Sequence, residues 1–197
     1  MEGEMVGTDD STPVRQRTPR GQGRTKLVGA AGQLFAEHGI SGTSLQSIAD
    51  RLGVTKAAVY HQFASKDEIA LAVAEPVIER LRLIADAAET LPDAEARRST
   101  IEGLVDLALD QRGTAALLRR DPTMAQILGT HPPYLQQIRR IDALLLGLSP
   151  SSQRRIALAF AGGGIMTVGA LPGLDGSAGE VRDGLIAAMS RALDTND

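Results

Sequence analysis

Lys56, Ala57, Tyr60 and His61 stand at i, i+1, i+4 and i+5. In a helix that spacing brings an ammonium, a methyl, a phenol and an imidazole onto one side. Such a set suits a polyanion with hydrogen-bonding edges. Lys56 can donate to guanine O6 and N7 or to a phosphate, and the short Ala57 permits close approach or touches a thymine methyl. The Tyr60 hydroxyl and His61 ring have the reach for phosphates, contacts that set register without reading sequence. Thr55, just ahead of this set, joins Lys56 and Ala57 as a candidate base reader. Thr43 and Ser44 open the segment before, and Lys66 the segment after; helix starts aim backbone amides at anions.

Other chemistry does not assemble. His38, His61 and His131 are scattered, no two of them at i, i+4, and there is no cysteine. Disulfides and thiolate metal sites are therefore excluded, and no catalytic, metal or cofactor site is expected. A small helical enzyme is the rival reading, with no nucleophile or metal constellation to support it.

The face around Lys56 needs short helices to hold it. Leu27, Ala30, Ala31, Leu34 and Phe35 follow helical periodicity from about Arg24, and Gly39 supplies a stop. After a Gly42 hinge, a second helix is expected with Thr43 as its N-cap and Gln46 as capping-box partner. Its inward face is Leu45, Ile48, Ala49 and Leu52, and Gly53 ends it. Thr55 caps a third short helix packed through Val59 and Phe63. Ser65 caps a fourth opening Lys66-Asp67-Glu68, with acids near the positive end of the helix dipole. Ala49, Gly53 and Val59 have the spacing of a helix-turn-helix: a small residue at the crossing, a turn residue tolerant of positive φ, and an apolar clamp. Plain three-helix packing units share that spacing, so charge must help decide.

The net charge of −3 is unevenly distributed. Residues 1–14 hold four acids and no base, residues 15–66 eight bases and two acids, and residues 67–197 thirteen bases and eighteen acids. All three lysines, Lys26, Lys56 and Lys66, fall in the positive block. A basic module on an acidic body is the footprint of a DNA binder. Aromatic content is 3% with no Trp, so the core must come from Leu, Ile, Val and Ala, which favours helices. The N-terminus lacks the apolar stretch of a signal peptide, and the uncharged, glycine-rich stretch from Ile156 to Leu171, ahead of Pro172, is shorter than the ~20 residues of a membrane span. A cytoplasmic protein with no membrane partner is expected.

The run from Gly42 to Lys66, GTSLQSIADRLGVTKAAVYHQFASK, resembles the DNA-binding domain of the tetracycline-repressor (TetR) family. It carries the family's threonine-led I-A element at Thr43–Ala49, its G-V-S/T followed by V-Y-x-x-F at Gly53–Phe63, and its S-K at Ser65-Lys66. The likeness covers residues 24–72. Ala57 and Ala58 depart from the Gly or Thr frequent after the cap pair, and Gln62 stands where His is frequent. The resemblance implies an all-α fold: an N-terminal three-helix helix-turn-helix DNA-binding domain plus a larger helical ligand-sensing and dimerisation domain. It implies a homodimeric transcriptional repressor on double-stranded DNA with a palindromic operator, released by a small-molecule effector; an activator remains open.

The expected division is a disordered, basic-ended tail at 1–20, a DNA-binding domain at 21–66 and a helical body at 67–197. Body helices are expected at 93–111, 114–129, 133–147, 151–170 and 178–193, with a kink or break at Pro76. An apolar effector pocket is expected from Met124, Ile127, Leu128, Tyr134 and Ile138, with Arg119 or His131 as polar contacts; plain core packing accounts for the same apolar residues. The scarcity of aromatics argues for an aliphatic or lipid-like effector over a cationic drug in an aromatic cage. Phe160, Gly163, Ile186 and Met189 are the expected dimer contacts. The alternative for the glycines at 162–164 is a loop interrupting the helix.

Overall fold

The computed structural model describes residues 22–111, 117, 121–168 and 177–194. The expected tail at 1–20, the start of the helix expected at 114, the end of that expected at 151–170, and Arg119 lie outside the described residues. Nine helices and no strand occur among those described: α1 (Gln22–Gly42), α2 (Leu45–Leu52), α3 (Lys56–Tyr60), α4 (Lys66–Ala88), α5 (Asp93–Asp110), α6 (Pro122–Gly129), α7 (Pro132–Leu146), α8 (Ser152–Val168) and α9 (Ala178–Leu193). No helix among the described residues is long and apolar enough to cross a membrane.

Two apolar cores share one helix. The first packs Leu27, Leu34 and Phe35 of α1 against Ile48, Ala49, Val59 and Phe63, and is closed by Ile69, Val73 and Ile78 of α4. The second packs Val77, Leu81 and Ile84, further along α4, against α5, α7, α8 and α9. At 23 residues α4 is about 35 Å long, enough to serve both. It runs through Pro76 without a break. Pro76 is exposed, so its missing N–H and ring fall on the solvent side, away from both cores.

Gly39 ends the regular part of α1, at φ 73° and ψ 164°. That region is open essentially to glycine alone. The chain then turns through Ile40–Gly42 into α2. The glycines at 162–164 sit inside α8, which removes the loop alternative.

Ion pairs brace the second core. Arg140 on α7 reaches Asp86 and Glu89 at 2.7 Å each. Hydrogen bonding to that guanidinium holds both carboxyls below their ordinary range, against the opposing effect of burial. Arg182 on α9 grips Asp106 on α5 through two bonds of 2.6 and 2.9 Å, and lowers that carboxyl likewise.

Candidate nucleic-acid interface

The short helices α2 and α3 owe their geometry to caps and to buried anchors. Ser44, in extended backbone, is the N-cap of α2: its Oγ accepts from Ser47 N at 3.0 Å, and Ser47 Oγ accepts from Ser44 N at 3.0 Å. This corrects the expected Thr43–Gln46 capping box by one residue. Thr43 is only 3% exposed, and its hydroxyl donates inward to Gly39 O at 2.8 Å and toward Leu34 O at 3.2 Å. Gln46 instead donates to Asp50 across one turn of α2. Gly53 takes the left-handed conformation (φ 64°, ψ 33°) that the tight turn into α3 requires.

Thr55 caps α3 by accepting from Ala58 N at 3.2 Å, which leaves its hydroxyl proton free to donate outward. Val59 is fully buried, and Phe63 is 1% exposed just beyond α3. With that side anchored, Lys56, Ala57, Tyr60 and His61 are all exposed, as is Ser44 ahead of them. Lys56 Nζ lies 5.8 Å from the Tyr60 ring centroid, close enough for the ring face to favour the cation.

Lys66 is placed differently from its neighbours. Its Nζ donates to Ile40 O at 2.6 Å and Thr43 O at 2.9 Å, so it holds together the turn between α1 and α2. A compact ammonium satisfies two carbonyls that a helix end leaves without partners. Arg24, not singled out from the sequence, stacks its guanidinium 4.0 Å from the Phe63 centroid and donates to Gln62 O at 3.1 Å. It ties the start of α1 to the end of the α3 segment. The 38-residue separation from Gln62 left no local signal for that contact.

The body holds a cavity of about 300 Å³ between α4, α5, α7 and α8. Leu81, Leu104, Leu107, Ile141 and Leu158 are among its apolar walls. Gln111 and Tyr134 bring the polar atoms, and among the described residues the wall carries no charged side chain. Burial, then the negative charge of Asp142, pushes the Tyr134 phenol up.

Of the expected pocket residues, Tyr134 and Ile138 border this cavity. Met124, Ile127 and Leu128 do not: α6 turns them into the first core, against the helices that carry the interface. His131 lies on a separate groove with Arg24, Glu68 and Glu75. Of the expected dimer contacts, Phe160 is 84% exposed and Gly163 is exposed. Ile186 is half-buried against the second core. Met189 is 2% exposed and fills that core, so it is corrected from a dimer contact to an internal one.

Comparison with known proteins agrees with this geometry. The family described as bacterial regulatory proteins, tetR family, matches residues 27–73, which span most of α1, all of α2 and α3 and the first turns of α4. The chain is 32% identical over 108 residues to the HTH-type transcriptional activator FasR of Mycolicibacterium smegmatis, covering 53% of this chain and 49% of that protein. It is 29% identical over 122 residues to the HTH-type transcriptional repressor KstR2 of Rhodococcus jostii, covering 58% and 57%. The chain thus spans about half the length of the curated relatives it matches. Among solved structures, a TetR-like transcriptional regulator from Rhodococcus sp. RHA1 superposes with a TM-score of 0.66 at 23% identity, over 91% of this chain and all of that one, a likeness of fold.

Proposed function

We propose, for a chain that belongs to the tetR family of bacterial regulatory proteins, that it acts in the cytoplasm as a homodimeric transcriptional repressor released from a palindromic operator by an apolar effector. The exposed face of α3, held rigid by buried Val59 and Phe63, carries this reading. Lys56, Thr55 and Ala57 would face base edges, and Tyr60, His61 and Ser44 the flanking phosphates. Thr43 and Lys66, both turned to backbone carbonyls, would act by holding the scaffold. Their helices still offer first-turn amides to phosphates.

The exposed residues of α8 and α9 support a dimer. Ile156 and Phe160 are 69% and 84% exposed, one turn apart, and exposed Gly163 and Gly164 continue the stripe. On α9, Gly184 and Ala188 are exposed at the same spacing. A two-fold dimer presents two copies of α3 to half-sites one or more helical turns apart, hence a palindrome.

Selection of bound duplexes from a random library tests the reading at its base. A palindromic consensus is expected. Lys56→Ala should weaken binding to the selected duplex by roughly 10-fold or more and relax base preference at one position in each half-site. Tyr60→Phe should weaken all sequences alike, by roughly 5-fold. Unchanged binding in both variants would remove α3 from the interface. The relative named an activator keeps that reading open as well; transcription from a promoter bearing the selected duplex, with and without the protein, separates repression from activation.

The cavity supports a neutral, apolar effector. Its volume lies at the small end of ligand pockets, about 300–1,000 Å³. A buried carboxylate without a cationic partner is costly. Decanol should therefore raise the melting temperature by a few degrees at saturating concentration and decanoate should not. A larger shift with decanoate would mean that a charged group reaches the cavity and that the effector is an acid.

A further inference from the structure

Asp121 precedes α6 and is only 8% exposed, yet its carboxylate is fully engaged. Oδ1 accepts from Thr123 N at 2.8 Å and Met124 N at 3.1 Å, an ordinary N-cap. Oδ2 accepts from Ile40 N at 2.6 Å, a residue 81 positions earlier in the turn between α1 and α2. A second bond, between the Ser41 and Thr123 hydroxyls at 2.8 Å, runs beside it. The fit is close: a Cβ on Gly39 would stand 3.0 Å from Asp121 Oδ2.

The same residue is held again at its carbonyl. Ile40 O accepts from Lys66 Nζ, the first residue of α4, so the Ile40 residue is gripped at N–H by α6 and at C=O by α4. Three residues after Ser41 the chain reaches Ser44, the cap of α2. At its far end α6 runs through His131 into α7, where Tyr134, Ile138 and Ile141 border the cavity.

A helix cap needs one side-chain oxygen, and Ser, Asn and Asp supply it about equally well. The second oxygen of Asp121 has no part in capping. Charge-assisted bonds of this kind are about twice as strong as neutral ones, and burial leaves little water to replace a lost one. A shift of α6 must therefore carry Ile40 with it or break the bond.

We infer that Asp121 is a positioning residue for DNA binding: its Oδ2 joins α6, and through it the α7 wall of the cavity, to the turn that sets α2 and α3. This rests on the DNA-binding reading above, with one arm of the test independent of it. Asp121→Ser keeps a capping oxygen and is too short to reach Ile40; Asp121→Asn keeps the volume and has one acceptor oxygen where two are needed. Hydrogen exchange and binding to the selected duplex are measured on the full chain. In Asp121→Ser, exchange at 40–44 should rise about tenfold or more while 122–129 keeps its protection, and duplex affinity should fall about tenfold. Asp121→Asn should lose affinity to a similar degree. Wild-type exchange at 40–44 and wild-type affinity in both variants would reduce Asp121 to a helix cap and overturn the inference. If the wild-type chain selects no duplex, the DNA reading fails, and the exchange contrast alone decides whether the joint exists.

Discussion

Phe160→Glu is expected to turn the proposed dimer into monomers and to weaken binding to the selected duplex by roughly 10²–10⁴-fold, the avidity that two linked half-site contacts supply. Phe160 is 84% exposed in the protomer, and Ile156, one turn before it, is 69% exposed. Two large apolar side chains left adjacent on one helix form the kind of patch that marks an interface. The glycines that follow add an independent argument. Among the described residues a Cβ at Gly164 or Gly184 would meet nothing within 4 Å, so their packing there does not require glycine, whereas Gly163 also borders the cavity. Three consecutive glycines lower helix propensity by about 1 kcal/mol each relative to alanine. Gly162 and Gly163 leave room for the cavity, and close approach of a second helix from another copy would account for Gly164. A glutamate at 160 would be buried without a partner in that seam, while in the isolated protomer it faces water. Protomer stability should thus change by no more than about 0.5 kcal/mol. Sedimentation, thermal melting and duplex binding measured together check this. A dimer that persists, or a monomer that binds the operator as tightly as wild type, would place the interface elsewhere.

Phe63→Ala should cost about 3–5 kcal/mol of stability, the range for a fully buried aromatic. Phe63 is 1% exposed and closes the first core against α1, α2 and α4. It also seats Arg24, whose guanidinium lies 4.0 Å from the ring centroid and whose Nη1 bonds Gln62 O. Truncation removes the core contact and that brace at once. Against a typical total of about 5–15 kcal/mol, the loss is large, and for a chain of this size the melting temperature should fall by roughly 10 °C or more. Operator binding should fall with it, because the C-terminal end of α3 loses its anchor. Phe63→Leu keeps most of the volume and should be much milder. Equal melting temperatures for wild type and Phe63→Ala would show that the first core does not depend on this ring.

The DNA-reading scaffold was legible because its signals are local. Leu27 through Phe35, Ile48-Ala49 and Val59 mark faces through spacing of three, four and seven residues. Gly53 and Thr55 mark a turn and a cap through conformational demands that few residue types meet. The excess of bases over residues 15–66 then favoured a nucleic acid over plain helix packing. The cap of α2 falls at Ser44, one residue after the expected Thr43, and both are capping types. What separates them is burial: the fold closes over Thr43, and its hydroxyl turns inward to Gly39 and Leu34.

The body was legible as helix and little more. Apolar periodicity gives a face without naming its neighbour, so Met124 and Leu128, expected at the cavity, lie in the first core, and Met189, expected at the dimer seam, lies in the second. Lys66 shows the same limit for charge, since an ammonium at a helix start suits a phosphate or a pair of carbonyls equally well. By itself the sequence determined the run of helices through residue 72, the caps at Thr55 and Ser65 and the exposed face of α3, all set by interactions within a few residues. Tertiary structure alone decided which faces meet, where the cavity opens, and that a carboxylate at 121 holds the amide of Ile40, because those contacts join segments far apart in the chain and leave no periodic trace.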